Sequence, residues 1–300
     1  MPSSAVQRGT LMVNTTVRRR HAAFAAGFAA LAMAAGLAAA PAQAADKTKY
    51  IALGDSFASG QGAGPYLDDC FRSENAYSEL ADESKAIKLV VNAACSGKTT
   101  QEVVSDQLRQ LNKSTELVTI TAGGNNIGFG AIITACAAAL TGATPGEACN
   151  TAITGATAKL QGGQLYSELL SMIRSVQAAA PNAKIVLTGY PYLLDPIEAG
   201  RTDPAGQFIY QATQLSDLLN GNILAAAAAA NAATEDDPDV QFVDVRPVFL
   251  GHGALSPDPW INLIPSGPGE PVDPDNFHPN EAGYEAYFAA LSAAGAYSVS

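Results

Sequence analysis

Residues 49–60 read KYIALGDSFASG, a short apolar run that stops at Gly54, Asp55 and Ser56. The run has the length of a buried β-strand, and Gly, Asp and Ser are the residues that ordinarily form a turn. Residues 116–126, ELVTITAGGNN, show the same pattern, because a β-branched run again stops at small residues. Continuous apolar strands of this kind are typical of a parallel sheet that is covered on both faces.

Strand-like and helix-like stretches alternate along the chain. The predicted strands are 49–56, 87–95, 116–126, 183–191 and 240–247, and the predicted helices are 99–111, 164–180, 207–233 and 280–294. The third helix includes the six alanines at 225–230, because Ala has the highest helix propensity. The alternation predicts a doubly wound α/β fold, that is, a single three-layer αβα domain with a flavodoxin-like parallel sheet of about five strands.

The first 44 residues differ in composition from the rest. Three arginines at 18–20 precede an apolar stretch from about residue 22 to 40, and small residues surround a cleavage site at Ala44. This is the pattern of a secretory signal peptide. A permanent membrane anchor is the alternative, but alanine is weakly apolar and the cleavage site is good. We therefore expect a signal peptide at 1–44, cleaved near Ala44, and an exported domain at 45–300.

The charge balance limits the partners that the domain can have. The whole chain has a formal net charge of −11, and the signal segment carries four arginines and no acid, so the mature chain is more acidic still. This argues against nucleic acid or an anionic membrane surface as a partner. The acidic run at 235–239 lacks the regular spacing of calcium ligands, so we interpret it as a solvated turn. We expect no stable membrane insertion and a monomer.

The chain has four cysteines, at positions 70, 95, 136 and 149. An even number of cysteines in an exported chain predicts two disulfides, with three possible pairings. The spacings favour two local loops, Cys70–Cys95 and Cys136–Cys149. A zinc site is the alternative, but no CxxC pair supports it.

Polar and small residues follow the predicted strands, where ligands bind in open parallel sheets. Ser56 ends the first strand, and Gly97 and Asn125 follow the second and third. A serine nucleophile needs a base, usually histidine. His278 in the last loop has Asp275 three residues before it, so that the carboxylate can orient the imidazole.

The other two histidines are weaker candidates. One lies in the signal segment, and His252 has no carboxylate within several residues on either side. Each proposed residue also has a plainer interpretation. Ser56 and Asn125 are residue types that cap helices, Gly97 suits a tight turn, and Asp275 suits a solvated loop.

These motifs together resemble the SGNH hydrolases, also called the GDSL esterase/lipase family. The four blocks of that family appear in order: "GDS" at 54–56, Gly97 in "ACSGKTT", "GGNNIGF" at 123–129 and "DNFHP" at 275–279. The likeness extends over nearly the whole mature chain and is greatest for the secreted lipases and esterases of actinomycetes. Those proteins often have a Gly-His followed by a Pro-Trp loop, as "GHGALSPDPW" does here.

The resemblance implies a secreted serine esterase or lipase that acts on acyl lipid esters through an acyl-enzyme. Ser56, His278 and Asp275 would form the triad, and Ser56, Gly97 and Asn125 would bind the oxyanion. No metal or organic cofactor is expected. A carbohydrate deacetylase, or acetylesterase, with the same fold is the alternative. A catalytically inactive secreted binding protein is less favoured, because all four blocks are present.

The chain departs from the family pattern in two places. Asn126 occupies a position where many members have Asp, and two disulfides are possible where several secreted relatives have three. In addition, some relatives orient the histidine with a backbone carbonyl instead of a carboxylate, which bears on Asp275. Whether His252 and Trp260 form a pocket wall or ordinary loop packing stays open at this point.

Overall fold

The computed structural model describes residues 46–233, 240–265 and 271–298. The predicted signal peptide and the acidic run at 235–239 lie outside these ranges. The described residues contain one sheet of five strands, and every neighbouring pair is parallel. The strands are β1 (Thr48–Gly54), β2 (Ile87–Asn92), β3 (Leu117–Thr121), β4 (Lys184–Thr188) and β5 (Val240–Val243). Their order is β2-β1-β3-β4-β5, the flavodoxin-like order, so the predicted fold class is confirmed.

Burial of the strands explains their sequences. All five residues of β3 are buried, and so are the last five of β1, because helices cover both faces of the sheet. The edge strand β2 alternates between buried and exposed positions and accordingly includes a lysine. The carboxyl ends of β1 and β3 lie side by side, with Gly54 in register with Thr121.

Eight α-helices accompany the strands in the described part of the chain. They are α1 (Ser56–Ser59), α2 (Tyr77–Asp82), α3 (Thr100–Glu102), α4 (Phe129–Cys136), α5 (Glu147–Gln161), α6 (Gln164–Ala179), α7 (Pro204–Ala232) and α8 (Glu281–Ala293). Asp203 caps α7 and Pro204 occupies its first position, where the missing N–H costs nothing. The alanine run is helical as predicted, and Ala226, Ala227 and Ala230 are buried.

The stretch at 99–111 is less regular than the single helix that its apolar spacing predicts. Thr99 and Glu102 form a capping box, but α3 ends after three residues and a π-turn follows at Val103–Gln107. A 3₁₀ turn then runs from Leu108 to Gln110. The buried side chain of Gln107 accounts for the irregularity, because its amide hydrogen-bonds both backbone groups of Gly54.

Both predicted disulfides are present. Cys70 is bonded to Cys95, and Cys136 is bonded to Cys149, so the pairing favoured by the spacings is confirmed. The first bridge ties the loop after α1 to the loop after β2, and the second ties the end of α4 to the start of α5. Of the helices that the structure describes, none combines the length and the apolar character needed to cross a bilayer.

The buried side chain of Asn220 on α7 gives a test of the fold beside the site. Its amide accepts from the Tyr190 N–H at 2.9 Å and donates to the Tyr190 carbonyl at 3.0 Å. Asn220→Ala leaves both buried groups unpartnered, so the free energy of unfolding in urea should fall by about 3 kcal/mol or more.

Asn222→Ala is the matched control, because Asn222 donates to the carbonyls of Leu218 and Leu160 and leaves no backbone N–H unpaired when it is removed. Its expected loss is about 1 kcal/mol or less. Equal losses in the two variants would contradict the account of Asn220.

Candidate active site

The turn that carries Ser56 is fixed from both sides of β1. Gly54 has φ +131°, and a Cβ there would lie 2.2 Å from the carbonyl oxygen of Thr121, so only glycine fits. The Asp55 N–H donates to that same oxygen at 2.9 Å, and the Cys95 N–H donates to the Gly54 carbonyl at 3.1 Å. Gln107 completes the turn with two 2.8 Å bonds to Gly54. The chain can therefore leave the strand in only one direction.

Ser56 is the first residue of α1, and its neighbour Asp55 is the N-cap. The Asp55 carboxylate accepts from the Phe57 N–H at 3.1 Å. Asp55 is almost completely buried, and this burial raises the pKa of its carboxyl to about 7. The cap thus explains why a buried acid precedes the serine.

His278 lies directly against the serine. Its Nε2 is 2.8 Å from the Ser56 Oγ, and its ring packs between Phe57 and Phe129, with centroid distances of 5.1 and 6.0 Å. Burial lowers the pKa of the imidazole to about 4, since the surrounding apolar side chains disfavour the charged form. A neutral imidazole at this distance can accept the serine proton.

The loop that carries His278 pairs with a second extended segment. Asn262 donates from its N–H to the His278 carbonyl at 2.9 Å and accepts from the Phe277 N–H at 2.9 Å. Two residues further on, the Asn280 side chain caps α8 by accepting from the Gly283 N–H at 3.0 Å. The histidine is therefore held between a strand-like pair and a helix start.

The group that contacts the His278 Nδ1 is the backbone carbonyl of Asn276, at 3.1 Å. Asp275 instead accepts a hydrogen bond from the Tyr66 hydroxyl. This differs from the expected Asp275–His278 pair. The reason is the tight turn between the two residues, in which the His278 N–H returns to the Asp275 carbonyl and Phe277 has a positive φ of 61°. The turn brings a main-chain oxygen to the imidazole, and the Asp275 carboxylate reaches the loop of Tyr66.

The two remaining predicted residues lie on neighbouring loops. Asn125 lines the same cleft as Ser56, and its side-chain amide donates to the Lys98 carbonyl at 3.0 Å. Gly97 has φ +80°, and a Cβ there would meet nothing within 4 Å, so its backbone is open to approach. The contact between Asn125 and Lys98 ties the third family block to the loop that holds Gly97. Their role at an oxyanion stays a prediction.

Gln61 connects three of the blocks, although no motif in the sequence singles it out. Its N–H donates to the Ser56 carbonyl at 3.1 Å, and its side chain accepts from the Ser96 hydroxyl at 2.6 Å. The same amide donates to the Pro274 carbonyl, beside Asp275. One buried side chain thus links the loops of the nucleophile, of Gly97 and of the histidine. No spacing rule marks such a glutamine.

Asn126, which departs from the family pattern, forms a second junction between loops. Its Oδ1 accepts from the Thr100 N–H at 3.0 Å, and its Nδ2 donates to the Glu168 carboxylate at 2.7 Å. Lys159 donates to the Asn126 carbonyl at 2.7 Å. An amide suits this position because it has a donor for the carboxylate of α6, whereas an ionised Asp would face a second acid.

A cleft of about 850 Å³, counted with its solvent-open mouth, begins at Ser56 and Asn125. Its walls are predominantly aliphatic and aromatic. The side chains from α4 and the segment before it are Ile127, Phe129, Ile132 and Ile133, and those from α7 include Phe208, Leu215 and Leu219. A volume and lining of this kind suit an apolar ligand.

His252 and Trp260 are absent from the described lining of this cleft. Their rings stack on each other with centroids 3.5 Å apart, and Phe249 packs edge-on against Trp260. The Trp260 carbonyl accepts from the Asn280 N–H at 2.9 Å. Of the two interpretations left open, the structure favours loop packing, which supports the start of α8.

Comparisons with known proteins identify the family of the chain. The profile of the GDSL-like lipase/acylhydrolase family covers residues 52–286, which is most of the chain. The chain belongs to this family. The chain is therefore a serine carboxylic ester hydrolase of the lipase and esterase type.

Two curated relatives of this GDSL-like hydrolase come from Streptomyces. Lipase 1 of Streptomyces coelicolor is 36% identical over 267 residues, which cover 84% of this chain and 91% of the relative. A lipase of Streptomyces rimosus is 34% identical over 261 residues, which cover 85% and 89%.

Two solved structures are similar to the hydrolase over most of its length. The crystal structure of the extracellular lipase from Streptomyces rimosus superposes with a TM-score of 0.70 and 30% identity, over 82% of this chain and 99% of that one. Phospholipase A1 from Streptomyces albidoflavus gives 0.68 and 32%, over 83% and 99%.

The histidine titration tests which group orients the imidazole. In an NMR titration of the His278 ring, assigned with His278→Asn, the pKa should be about 4 because burial disfavours the cation. Asp275→Asn should leave that pKa unchanged, because Asp275 bonds Tyr66 and not the ring.

A clear fall of the His278 pKa in Asp275→Asn would contradict this expectation, since it would reveal a carboxylate that stabilises the imidazolium directly. A pKa in the ordinary range near 6.5 in the unmodified protein would contradict the account of burial.

Proposed function

We propose that this hydrolase cleaves acyl lipid esters through a covalent acyl-enzyme on Ser56. The observation that carries the proposal is the 2.8 Å contact between the Ser56 Oγ and the His278 Nε2, at the end of an apolar cleft. Serine is a weak nucleophile that becomes effective when an adjacent base removes its proton. The neutral, buried imidazole supplies that base.

The reaction follows from the positions of the protein groups. The Ser56 Oγ attacks the ester carbonyl as its proton passes to the His278 Nε2. The Nδ1–H then donates to the Asn276 carbonyl, which fixes the tautomer and the ring orientation. His278 gives the proton to the leaving alcohol, and a water that it activates releases the acid from Ser56.

The oxyanion of the tetrahedral intermediate needs donors that are in place before it forms. We assign this role to the N–H groups of Ser56 and Gly97 and to the side-chain amide of Asn125. The bond from the Asn125 Nδ2 to Lys98 supports the assignment, because it fixes the amide plane with one N–H and leaves the second for a ligand. Asp275 acts indirectly in this scheme, by holding the loop of Tyr66 against that of the histidine.

The lining of the cleft favours a lipid acyl chain over an acetyl group on a carbohydrate. A deacetylase would need a polar cleft for the sugar, whereas the walls beside Ser56 are formed by Ile, Leu, Phe and Tyr side chains. Each methylene buried against such walls contributes about 0.8 kcal/mol of binding. The similar proteins named lipase and phospholipase A1 support the same choice.

Export and the working state of the enzyme are part of the proposal. A signal peptide that ends near Ala44, two disulfides and a similar structure described as an extracellular lipase all support secretion. We expect the mature protein to act as a monomer and without a metal or organic cofactor, because the proposed chemistry uses side-chain and main-chain groups alone.

A series of p-nitrophenyl esters from acetyl to palmitoyl tests the reaction and the substrate class. Turnover should be highest for medium or long chains, because each added methylene that is buried in the cleft strengthens binding. Ser56→Ala should lose turnover by about 10⁴-fold or more while its thermal unfolding is unchanged. Activity on acetyl esters alone would indicate the deacetylase, and an active Ser56→Ala would refute the acyl-enzyme.

Ala212 on α7 tests which wall receives the chain, because it is a small, half-buried residue of the cleft. Ala212→Phe should fill the space, so that kcat/KM for octanoyl and longer esters falls by about tenfold or more relative to the butyryl ester. Ala228→Phe places the same bulk on the exposed side of the same helix and should leave the chain-length profile unchanged. The same profile in both variants would place the acyl chain elsewhere.

A further inference from the structure

A buried chain of hydrogen bonds joins the nucleophile turn to the loop of Asn125. The Gly124 N–H donates to the Tyr190 hydroxyl at 3.0 Å, and that hydroxyl donates to the Asp55 carboxylate. Gly124 directly precedes Asn125, and Asp55 directly precedes Ser56. The proposed reaction assigns no step to Asp55 or Tyr190.

We propose that Asp55 and Tyr190 are positioning residues, which hold the backbone at Gly124 so that the Asn125 amide faces the carbonyl attacked by Ser56. The inference rests on the proposed role of Asn125 as an oxyanion donor. Neither Asp55 nor Tyr190 needs to touch the reacting atoms. Their effect is on the distance and angle between the nucleophile and the donor.

Tyr190 is itself held firmly enough to serve this purpose. Asn220 clamps both of its backbone groups, and its ring packs edge-on against Phe57 with centroids 5.0 Å apart. A Cβ at Gly124 would lie 3.3 Å from the Tyr190 ring, so the loop backbone passes close to the phenol. The Tyr190 hydroxyl is therefore a rigidly held acceptor for the backbone of the Gly124 loop.

The direction of the hydrogen bonds depends on the charge of Asp55. One oxygen of the ionised carboxylate accepts from the Phe57 N–H and the other from the Tyr190 hydroxyl, which leaves the phenolic oxygen free to accept from Gly124. Protonation would place a hydrogen on the oxygen that faces Tyr190, because the other oxygen already has a donor. The phenol would then lose the acceptor for its own hydrogen, and its bond to Gly124 would weaken.

The groups that face Asp55 leave its own carboxyl as the one that changes charge near neutral pH. They are tyrosines from three elements, namely Tyr77 of α2, Tyr190 after β4, and Tyr284 and Tyr287 of α8. Burial raises the pKa of all four phenols, so they stay neutral. His278, beside Ser56, has a pKa of about 4. Burial raises the pKa of Asp55 to about 7, so its ionisation falls within the working range.

Tyr190→Phe removes the hydroxyl and keeps the ring. Measured on p-nitrophenyl butyrate, kcat should fall by about tenfold or more, because a donor that is slightly misplaced stabilises the oxyanion poorly. KM should change little, since the phenyl ring still packs against Phe57. Tyr50→Phe is the matched control, because it removes a buried hydroxyl that bonds Thr119 at 2.6 Å and has no place in the site. Its kcat should equal that of the unmodified enzyme.

The pH profile separates positioning from a general loss of stability. For the unmodified enzyme, kcat/KM should rise in two steps with pH, one near 4 from His278 and one near 7 from Asp55. Asp55→Asn mimics the protonated acid, because its amide donates to Tyr190 at every pH. It should show a low plateau without the step near 7, and Tyr190→Phe should also lose that step.

The outcomes are distinct. If Ser56→Ala is inactive but Tyr190→Phe has normal kcat with the step near 7 intact, the positioning role is refuted and the acyl-enzyme stands. If Tyr50→Phe loses kcat as much as Tyr190→Phe, the loss reflects a weakened fold and the inference is also refuted.

An active Ser56→Ala would refute the proposed function itself. Thermal unfolding of each variant, read by circular dichroism, identifies any that fails to fold, and Asp55→Asn then provides the test.

Discussion

The hydrogen bond between the Ser56 hydroxyl and the His278 imidazole joins residues that lie 222 positions apart in the sequence. The two side chains stay in contact only if each is held in place by its own part of the fold. The parallel sheet provides the first half of that constraint, because it brings the exits of β1 and β3 side by side. The extended pair between Asn262 and the histidine loop provides the second half.

Most of the fold could be predicted because it follows from local physical signals. Buried strands need continuous apolar residues, and the five predicted runs are the five strands of the sheet. Helices α4 and α5 escaped prediction for different reasons. The eight residues of α4 are too few to establish a helical period, and Ala, Thr and Gly make up eight of the fifteen residues of α5. The π-turn at Val103–Gln107 was also missed, because its cause is a tertiary contact with Gly54 and not a property of the segment.

Block order and residue type singled out Ser56, Asn125 and His278, and the fold places Ser56 beside His278 and in the same cleft as Asn125. They did not reveal every contact between these residues. The sequence places a carboxylate three residues before the histidine, and the expected contact follows if both residues lie on one helical turn. The positive φ of Phe277 changes which groups meet, and no spacing reveals that conformation. In the same way, Gln61 and Tyr190 are ordinary residues in the sequence. Their importance arises from loops that come together after the chain has folded.

The His278 imidazole is oriented by a backbone carbonyl, that of Asn276, and a side-chain substitution cannot remove this group. A main-chain oxygen is present whichever amino acid occupies position 276, so no point substitution deletes it. Scanning mutagenesis would overlook this contact, and any loss at that position would reflect the side chain, whose amide binds Ile264 instead. A substitution at Asp275 would instead act on the contact between the histidine loop and the loop of Tyr66.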